Sequence, residues 1–479
     1  MNRRIVLYWV GRIVLLEAGL LLLPLFVGLL YGERSALSFL WSALAAAGVG
    51  LLMFFGARPR TRHMFAREGF AIVSMAWILT ALIGALPFVI SGQIPHYVDA
   101  FFETVSGFTT TGASIIPDLT KMDKGILFWR SFTHWIGGMG ILVFMMAFLP
   151  SRSDRPIHIA RAEMPGPTMG KVMPRMQDTA KILYLIYIGM TLVEFILLIC
   201  GGMGVFDSAI HTFGTAGTGG FGSRPDSIAG YTPFCQWVIT VFMLLFGVNF
   251  NLYFFLLVKR MGAALKSSEL WLYLGTVGAA VAIVTFNVRG MFSTVEETIR
   301  HSAFQVSSII TTTGFATTDF NAWPALSKAV LLTLMMLGCC AGSTGGGLKM
   351  SRVFILLKTI RNEVRHLLHP RSVTVSRVDG KKLDKEAERG TLSYFAVYML
   401  CFTACFLLVS IDGKSLETNI SAVAACFNNI GPGFGDVGPA ANYAHYSFFS
   451  KIVLSFAMLF GRLEIWPLLL SFSPSMWKR

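Results

Sequence analysis

The amino-acid sequence predicts an all-α integral membrane protein. Two N-terminal transmembrane helices precede four similar units, each made of a spanning helix, a short helix, a glycine-rich turn and a second spanning helix. Composition predicts the class, because 54% of the 479 residues are hydrophobic and only 14% are charged, against about 25% charged in ordinary globular proteins. About ten apolar runs predict the spans. A short motif that occurs twice in the same register predicts the repetition.

The repeated motif is Phe102-Glu-Thr-Val-Ser-Gly-Phe-Thr-Thr-Thr-Gly112, and its close copy is Phe304-Gln-Val-Ser-Ser-Ile-Ile-Thr-Thr-Thr-Gly314. In each copy a phenylalanine lies ten residues before the final glycine and a serine lies six before it. Two further glycine-rich turns, 217–220 and 430–433, extend the series to four, with a period of roughly 94–119 residues. Internal repetition of this kind indicates repeated structural units.

Apolar runs of about 20 residues are long enough to cross a membrane. The predicted spans are 5–31, 36–56, 69–91, 126–149, 181–204, 233–258, 269–287, 325–358, 391–411 and 447–472. Four segments are too short to cross and are predicted as short helices that lead into the turns: 98–110, 206–217, 295–311 and 416–428. The predicted divisions are two N-terminal helices in 1–67, a first unit in 68–150, a cytoplasmic basic loop in 151–180, a second unit in 181–260, a third unit with a cytoplasmic extension in 261–390, and a fourth unit in 391–479.

Basic residues predict the orientation in the membrane. Lysine and arginine cluster in alternate connections and at both termini, which by the positive-inside rule places both termini in the cytoplasm. The short helices and their turns then enter from the outer side. The net charge of +14 does not indicate nucleic-acid binding, because the basic residues lie between apolar runs.

The four glycine-rich turns predict a site for cations. Irregular backbone at membrane depth is tolerated only where protein or a water-filled cavity satisfies its polar groups, so the turns are expected to line one central pore. Glycine admits conformations that turn carbonyl oxygens inward, and a ring of such oxygens replaces the hydration shell of a cation. The partly negative C-terminal ends of the short helices favour a cation as well. The predicted filter residues are Thr110, Thr111, Gly112, Thr218, Gly219, Gly220, Thr312, Thr313, Gly314, Gly431, Pro432 and Gly433.

Three further motifs carry a resemblance to a known family: Trp129-Arg-Ser-Phe-Thr-His-Trp-Ile-Gly-Gly-Met-Gly140, Cys339-Cys-Ala-Gly-Ser-Thr-Gly-Gly-Gly-Leu-Lys349 and Gly461-Arg-Leu-Glu-Ile465. With the four turns, they make the whole chain resemble the Trk/Ktr/HKT superfamily of potassium transport proteins, most closely its Trk-type pore subunits. The resemblance implies K⁺ as the transported ion and a bacterial-type inner membrane as the location. In that family glycine at all four filter positions accompanies potassium preference and serine in the first accompanies sodium, so Gly112 implies potassium. The second and fourth turns lack Thr-Thr-Thr-Gly, which leaves the threonine ring incomplete.

The second helix of the third unit is interrupted between residues 338 and 347, where five glycines oppose continuous helix. The resemblance implies that this segment is an intramembrane loop that lies below the filter and acts as a gate. A patch of small residues that lets helices pack closely is the alternative. The predicted gating residues are Gly338, Gly342, Ser343, Thr344, Gly345, Gly346 and Gly347.

Arg462 is a charge inside an apolar run, and such charges usually face a cavity or a partner. The resemblance implies that this arginine lies under the filter and restrains the flow of cations. A structural ion pair with a carboxylate is the alternative. Glu464 need not be that carboxylate, because residues two apart on a helix do not face each other.

Assembly and regulation are implied by the resemblance alone. It implies a homodimer and a cytoplasmic ring of nucleotide-binding regulatory subunits, docked on the segments 151–180 and 359–390. The default role of these basic segments is contact with anionic lipid headgroups. The chain itself is predicted to bind no nucleotide, because its G-x-G-x-x-G match at 217–222 follows no strand.

The chain is predicted not to be an enzyme. Two alternatives to a channel-like pore stay open. Broken helices near the membrane midplane also serve alternating-access symporters, which would couple potassium to protons or sodium. Against this, the predicted repeats enter from the same side and are not inverted. The other alternative is a membrane scaffold whose turns only pack helices together.

Overall fold

The computed structural model describes residues 1–59, 64–140, 176–371, 377–379, 381–383 and 385–477. Regular structure in these residues is almost entirely α-helical, as the sequence predicts. The strands Arg377–Val378 and Lys381–Lys382 form a small antiparallel hairpin. The predicted basic loop 151–180 lies outside the described residues as far as residue 175, and the unit boundaries stay predictions.

The described helices run from the N-terminus to residue 477. The helices up to residue 140 are Arg3–Leu20, Leu22–Leu30, Ala36–Gly56, Ala66–Gly84, Leu86–Ile90, Tyr97–Phe108 and Lys124–Gly138. The middle of the chain forms Met176–Cys200, Val205–Gly217, Pro233–Phe246, Phe250–Leu257, Met261–Leu265, Ser268–Val288 and Val295–Ile310. The last third forms Ala325–Met336, Met350–Leu368, Lys385–Val409, Leu416–Phe427, Phe448–Arg462, Trp466–Phe472 and Pro474–Trp477. Single 3₁₀ turns lie at Leu119–Lys121, Phe320–Ala322, Ser410–Asp412 and Gly435–Val437.

Six helical segments of the described residues are long and apolar enough to cross a membrane. They are Arg3–Leu30, Ala36–Gly56, Ala66–Ile90, Ala180–Cys200, Ser268–Val288 and Lys385–Asp412. A seventh exists if Pro233–Phe246 and Phe250–Leu257 are counted together, although they meet at 91°. These seven coincide with seven of the ten predicted spans.

The other three predicted spans, 126–149, 325–358 and 447–472, are not continuous helices in the described residues. The first is helical as Lys124–Gly138 and leaves the described part after residue 140. The second is divided by the loop between Met336 and Met350, as its glycines predict. The third is divided at Glu464 and Ile465, whose φ angles of +59° and +62° are left-handed and incompatible with a continuous right-handed helix.

The four short helices, called the pore helices from here on, begin and end within two residues of the predicted bounds. They are Tyr97–Phe108, Val205–Gly217, Val295–Ile310 and Leu416–Phe427. Hydroxyl groups fix the start of two of them, because Thr294 accepts a hydrogen bond from Glu297 N at 3.1 Å and Ser415 accepts one from Thr418 N at 3.2 Å. Such N-caps satisfy backbone donors that a helix leaves free.

The pore helices lie inside the bundle in a cyclic arrangement. The second, third and fourth pore helices pack against the second helix of the preceding unit, which is Lys124–Gly138, Pro233–Phe246 and Ala325–Met336 respectively. The first pore helix packs against Phe448–Arg462 of the last unit. Units one to four therefore close on themselves, and the C-terminal ends of the pore helices converge on the interior. Large apolar side chains such as Leu30, Leu52 and Phe286 remain exposed on the outside, as expected for a surface in contact with lipid.

Candidate functional site

The turns that follow the four pore helices share one backbone conformation. Each begins with a non-glycine residue whose φ lies between +55° and +58°: Thr110, Thr218, Thr312 and Asn429. Two positions later each has a glycine with φ between +80° and +96°: Gly112, Gly220, Gly314 and Gly431. L-amino acids seldom adopt left-handed φ, so the fourfold recurrence defines equivalent positions. The three-residue segments 110–112, 218–220, 312–314 and 429–431 are called the filter turns below.

The fourth filter turn is in a different register from the predicted one. Sequence counting placed Gly433 beside Gly112, but the residue with the equivalent φ is Gly431. Hydrogen bonds give the same alignment, because Ile430 N donates to Ala425 O at 2.8 Å just as Thr111 N donates to Ser106 O at 2.8 Å. Gly433 instead lies next to Ser421 and Val437. The predicted alignment relied on the Gly-Phe pair at 433–434, which matches Gly220-Phe221 in residue type but not in backbone conformation.

The filter turns touch one another in a closed ring. A Cβ atom on any of the four glycines would lie no more than 2.6 Å from a carbonyl oxygen of the next turn. Gly112 meets Gly219, Gly220 meets Thr313, Gly314 meets Ile430, and Gly431 meets Thr111. Real Cβ atoms do not approach oxygen so closely, so no side chain fits at these positions without displacing a neighbouring turn.

A cavity of about 120 Å³ opens at this ring. Gly112, Gly220, Gly314 and Gly431 all line it, whereas Gly433 does not. The rest of its wall comes from the loops that follow the filter turns, including Ser114, Pro117 and Arg224. Within the described residues no group of three or more histidine, cysteine, aspartate or glutamate side chains is placed to bind a metal. The oxygen atoms available to a cation at the ring are therefore those of the backbone, threonine and asparagine.

A buried ion pair supports the first filter turn from behind. Arg130 Nε lies 2.7 Å from Glu103 Oε1, and both side chains are almost completely buried. Glu103 Oε2 also accepts a hydrogen bond from Ile115 N at 2.9 Å, and the Arg130 guanidinium lies 4.0 Å from the centre of the Phe221 ring in the second repeat. Removing one member of a buried pair costs about 3–5 kcal/mol of stability. The pair thus fixes the exit of the first turn and joins it to the second.

His134 connects the first two filter turns. Its Nε2 accepts a hydrogen bond from Phe221 N at 3.2 Å, so the ring proton lies on Nδ1 and is donated to Gly107 O at 2.7 Å. The side chain is fully buried. Both contacts are to backbone atoms on either side of the boundary between units, so a neutral His134 holds the two turns in register. No local pattern in the sequence indicates this role.

The interrupted segment of the third unit, residues 337–349, lies directly against the filter turns. Gly346 N donates a hydrogen bond to Thr312 Oγ1 at 2.7 Å. A Cβ atom on Gly345 would lie 3.0 Å from Thr311 O, and one on Gly346 would lie 2.7 Å from Asn428 O. These contacts involve the residues at which the pore helices end, so the segment, called the intramembrane loop below, underlies the third and fourth filter turns.

The intramembrane loop is held in the bend between Pro233–Phe246 and Phe250–Leu257. Phe250 N donates to Gly342 O at 3.0 Å, Cys340 N donates to Gly247 O at 3.1 Å, and Thr344 Oγ1 donates to Phe246 O at 3.2 Å. The two ends of the loop meet where Gly338 N donates to Leu348 O at 2.8 Å. The loop is therefore a folded element with its own hydrogen bonds.

Arg462 contacts this loop. Its guanidinium donates to Thr344 O at 2.7 Å, to Gly138 O at 2.6 Å and to Gly137 O. Glu464 is paired with another residue, because Arg352 Nη1 lies 3.1 Å from Glu464 Oε1. Arg462 thus joins the loop, the last unit and the end of Lys124–Gly138.

The comparisons with known proteins agree with this architecture. The family model described as "TrkH: Cation transport protein" matches residues 40–479. The chain belongs to the TrkH family. It is 35% identical to the Trk system potassium uptake protein TrkH of Escherichia coli (strain K12) over the full length of both chains, and 33% identical to TrkG of the same strain over 99% of each chain.

A solved TrkH structure has the same fold. The crystal structure of the potassium transporter TrkH from Vibrio parahaemolyticus superposes with a TM-score of 0.89, at 32% identity and with complete coverage of both chains. Membership of the TrkH family makes the chain a multi-pass cation transport protein and not an enzyme. The predicted resemblance to the Trk/Ktr/HKT superfamily is confirmed.

The structure of this TrkH family member brings most of the predicted site residues together. The residues of the first three filter turns meet at the ring, with Gly431 and Pro432 at its fourth side. Residues 338–347 lie beneath it and Arg462 lies beside them. Gly433 is the predicted residue that lies apart from the ring. Asn429 is the residue that sequence reasoning missed, although asparagine tolerates left-handed φ better than most residues and could have signalled the turn.

Proposed function

We propose that the chain is the pore subunit of a bacterial potassium uptake system, located in the inner membrane with both termini in the cytoplasm. K⁺ is the transported ion, and it passes through the ring of filter turns in a channel-like manner. The observation that carries the proposal is the closed contact of four equivalent turns around one cavity. The names of the relatives support potassium as the ion.

Backbone carbonyl oxygens of the filter turns replace the hydration shell of K⁺ in this proposal. Two side-chain oxygens at the first position of the turns support the same use, because Thr110 Oγ1 and Asn429 Oδ1 are buried and accept no hydrogen bond from the described residues. An acceptor left without a donor in the interior costs about 1–3 kcal/mol. A cation that passes the ring offsets this cost by accepting their lone pairs.

The intramembrane loop acts as the gate. Its contacts with Thr312, Thr311 and Asn428 support a position across the path that an ion takes on leaving the ring. The positive charge of Arg462, hydrogen-bonded to Thr344 O, repels a cation at the same level and limits leak. Opening requires the loop to leave the third and fourth filter turns, and its five glycines allow it to change conformation without steric cost.

The protein works as a homodimer whose cytoplasmic face docks a ring of nucleotide-binding regulatory subunits, and it binds no nucleotide itself. The helix Met350–Leu368 supports such docking, because it continues directly from the intramembrane loop and presents exposed apolar side chains at Ile360, Val364 and Leu367. A partner that moves this helix acts on the loop without crossing the membrane.

Reversal potentials of the purified protein in liposomes test the proposal. With potassium on one side and sodium on the other, we expect a reversal potential near the potassium equilibrium potential, because sodium fits the carbonyl ring poorly. At fixed potassium, imposing a proton or sodium gradient should not move the reversal potential. A shift with either gradient would favour a coupled symporter, and the absence of any flux would favour a scaffold.

A further inference from the structure

A single oxygen atom of Glu269 binds both the intramembrane loop and the helix that follows it. Its Oε1 accepts hydrogen bonds from Ala341 N at 2.6 Å and from Ser351 N at 2.9 Å. Ala341 precedes the glycine run 342–347, and Ser351 lies in the first turn of the helix that follows the loop. One carboxylate therefore fixes the distance between the middle of the loop and the start of Met350–Leu368.

The position of Glu269 in its own helix strengthens these bonds. It is the second residue of Ser268–Val288, where the partly positive helix N-terminus favours a negative side chain. Hydrogen bonds from backbone N–H groups to a carboxylate are about twice as strong as those between neutral groups. Glu269 belongs to a different helix from the loop, so its bonds hold the loop against an external frame.

The start of the helix Ser268–Val288 is hydrogen-bonded to the cytoplasmic hairpin formed by Arg377–Val378 and Lys381–Lys382. Ser268 N, one residue before Glu269, donates to Asp379 Oδ1 at 2.8 Å. Asp379 lies in the turn between the strands Arg377–Val378 and Lys381–Lys382, with a left-handed φ of +49°. The hairpin is also bonded to Met350–Leu368, because Lys358 Nζ donates to Arg377 O. A continuous set of contacts thus runs from the hairpin through the start of Ser268–Val288 to the loop.

We propose that Glu269 is a positioning residue that holds the intramembrane loop closed against the filter turns, and that the hairpin sets its position through Asp379. This inference rests on the proposed function of the loop as a gate, and it assigns the regulation of that gate to a specific cytoplasmic element. Movement of the hairpin by a cytoplasmic partner shifts the N-terminal end of Ser268–Val288, removes the shared acceptor from Ala341 and Ser351, and releases the loop.

The chain supplies a matched control for Glu269. Glu33 also accepts two backbone hydrogen bonds at the start of a helix, from Lys124 N at 2.7 Å and Gly125 N at 2.9 Å. Its bonds are to the first two residues of Lys124–Gly138 and make no contact with the loop. Glu33→Ala therefore removes a carboxylate that accepts two backbone hydrogen bonds, as Glu269→Ala does, but at a site that does not contact the intramembrane loop.

The test is basal potassium flux in liposomes without any partner, measured with the potassium-to-sodium permeability ratio of the same samples. We expect Glu269→Ala to raise basal flux about ten-fold, the factor expected when hydrogen bonds to a charged group are lost. The permeability ratio should stay that of wild type, because the filter turns are untouched. Glu269→Gln should raise flux less than Glu269→Ala, since its amide oxygen still accepts both hydrogen bonds. Glu33→Ala should leave both quantities unchanged.

A double-mutant cycle tests the connection to the hairpin. Asp379→Ala should raise basal flux in the wild-type background and add nothing in the Glu269→Ala background, because residues that act through one another are not additive. Independent effects of the two substitutions would overturn the proposed connection. If the Glu269→Ala protein does not reach the membrane, basal flux is measured in Glu269→Gln and Asp379→Ala instead. Wild-type flux in both of these variants would overturn the inference. Failure of the proposed pore function differs from failure of the Glu269 inference, because in the former case the wild-type protein itself would show no potassium-selective flux.

Discussion

Replacement of Gly112 by serine is expected to lower the potassium-to-sodium permeability ratio at least ten-fold, equivalent to about 1.4 kcal/mol of differential stabilisation. The added Cβ atom would fall 2.1 Å from Gly219 O, so the carbonyl oxygens of the second turn must move. Gly112 also has a φ of +80°, which a serine adopts only with strain. Displaced carbonyls no longer match the size of dehydrated K⁺. Bi-ionic reversal potentials of the two proteins in liposomes measure the change.

Two controls separate the ring from general strain. Gly92 has a φ of +74° but no atom within 4 Å of a Cβ position, so Gly92→Ser should strain the backbone without changing the permeability ratio. The register of the fourth turn predicts that Gly431→Ser lowers the ratio, whereas Gly433→Ser leaves it close to wild type. An unchanged ratio in Gly112→Ser and Gly431→Ser would contradict the assignment of the filter turns.

Deletion of Gly345 and Gly346 is expected to raise basal potassium flux by about 10–100-fold, the range for loss of one or two buried hydrogen bonds. The deletion removes the bond from Gly346 N to Thr312 Oγ1 and pulls the rest of the loop away from the turns. The permeability ratio should be retained, because the loop does not form the ring. Flux and thermal stability are measured on the same preparation. A folded deletion protein with unchanged flux would contradict the role of the loop as a gate.

The pore helices were predictable because their signals are local. Each is a short semi-polar segment that precedes a glycine-rich turn, and the predicted bounds differ from the observed ones by at most two residues. The register of the fourth turn was not predictable from residue types, because Gly431-Pro-Gly433 offers two glycines that only the backbone conformation and contacts distinguish. The break at Glu464 and Ile465 lacks a local signal for the same reason, since neither residue favours left-handed φ.

The other features of the site that the sequence did not predict are contacts between residues far apart in the chain. Glu269 and Ala341 are joined across 72 positions, and His134 and Phe221 across 87. The sequence marks none of these residues as partners, because their proximity follows from the packing of one unit against the next. The sequence also placed Arg462 near the filter by resemblance only, and its bond to Thr344 O supplies the contact that a single sequence does not show.

Anomalous diffraction tests whether the four filter turns form one ring that binds dehydrated K⁺. Crystals of the protein grown in potassium and soaked with rubidium or thallium report the position of the bound cation by its anomalous signal. We expect density on the axis between the carbonyl oxygens of Thr111, Gly219, Thr313 and Ile430. Full occupancy elsewhere in the membrane part of the protein, with no density at this ring, would contradict it.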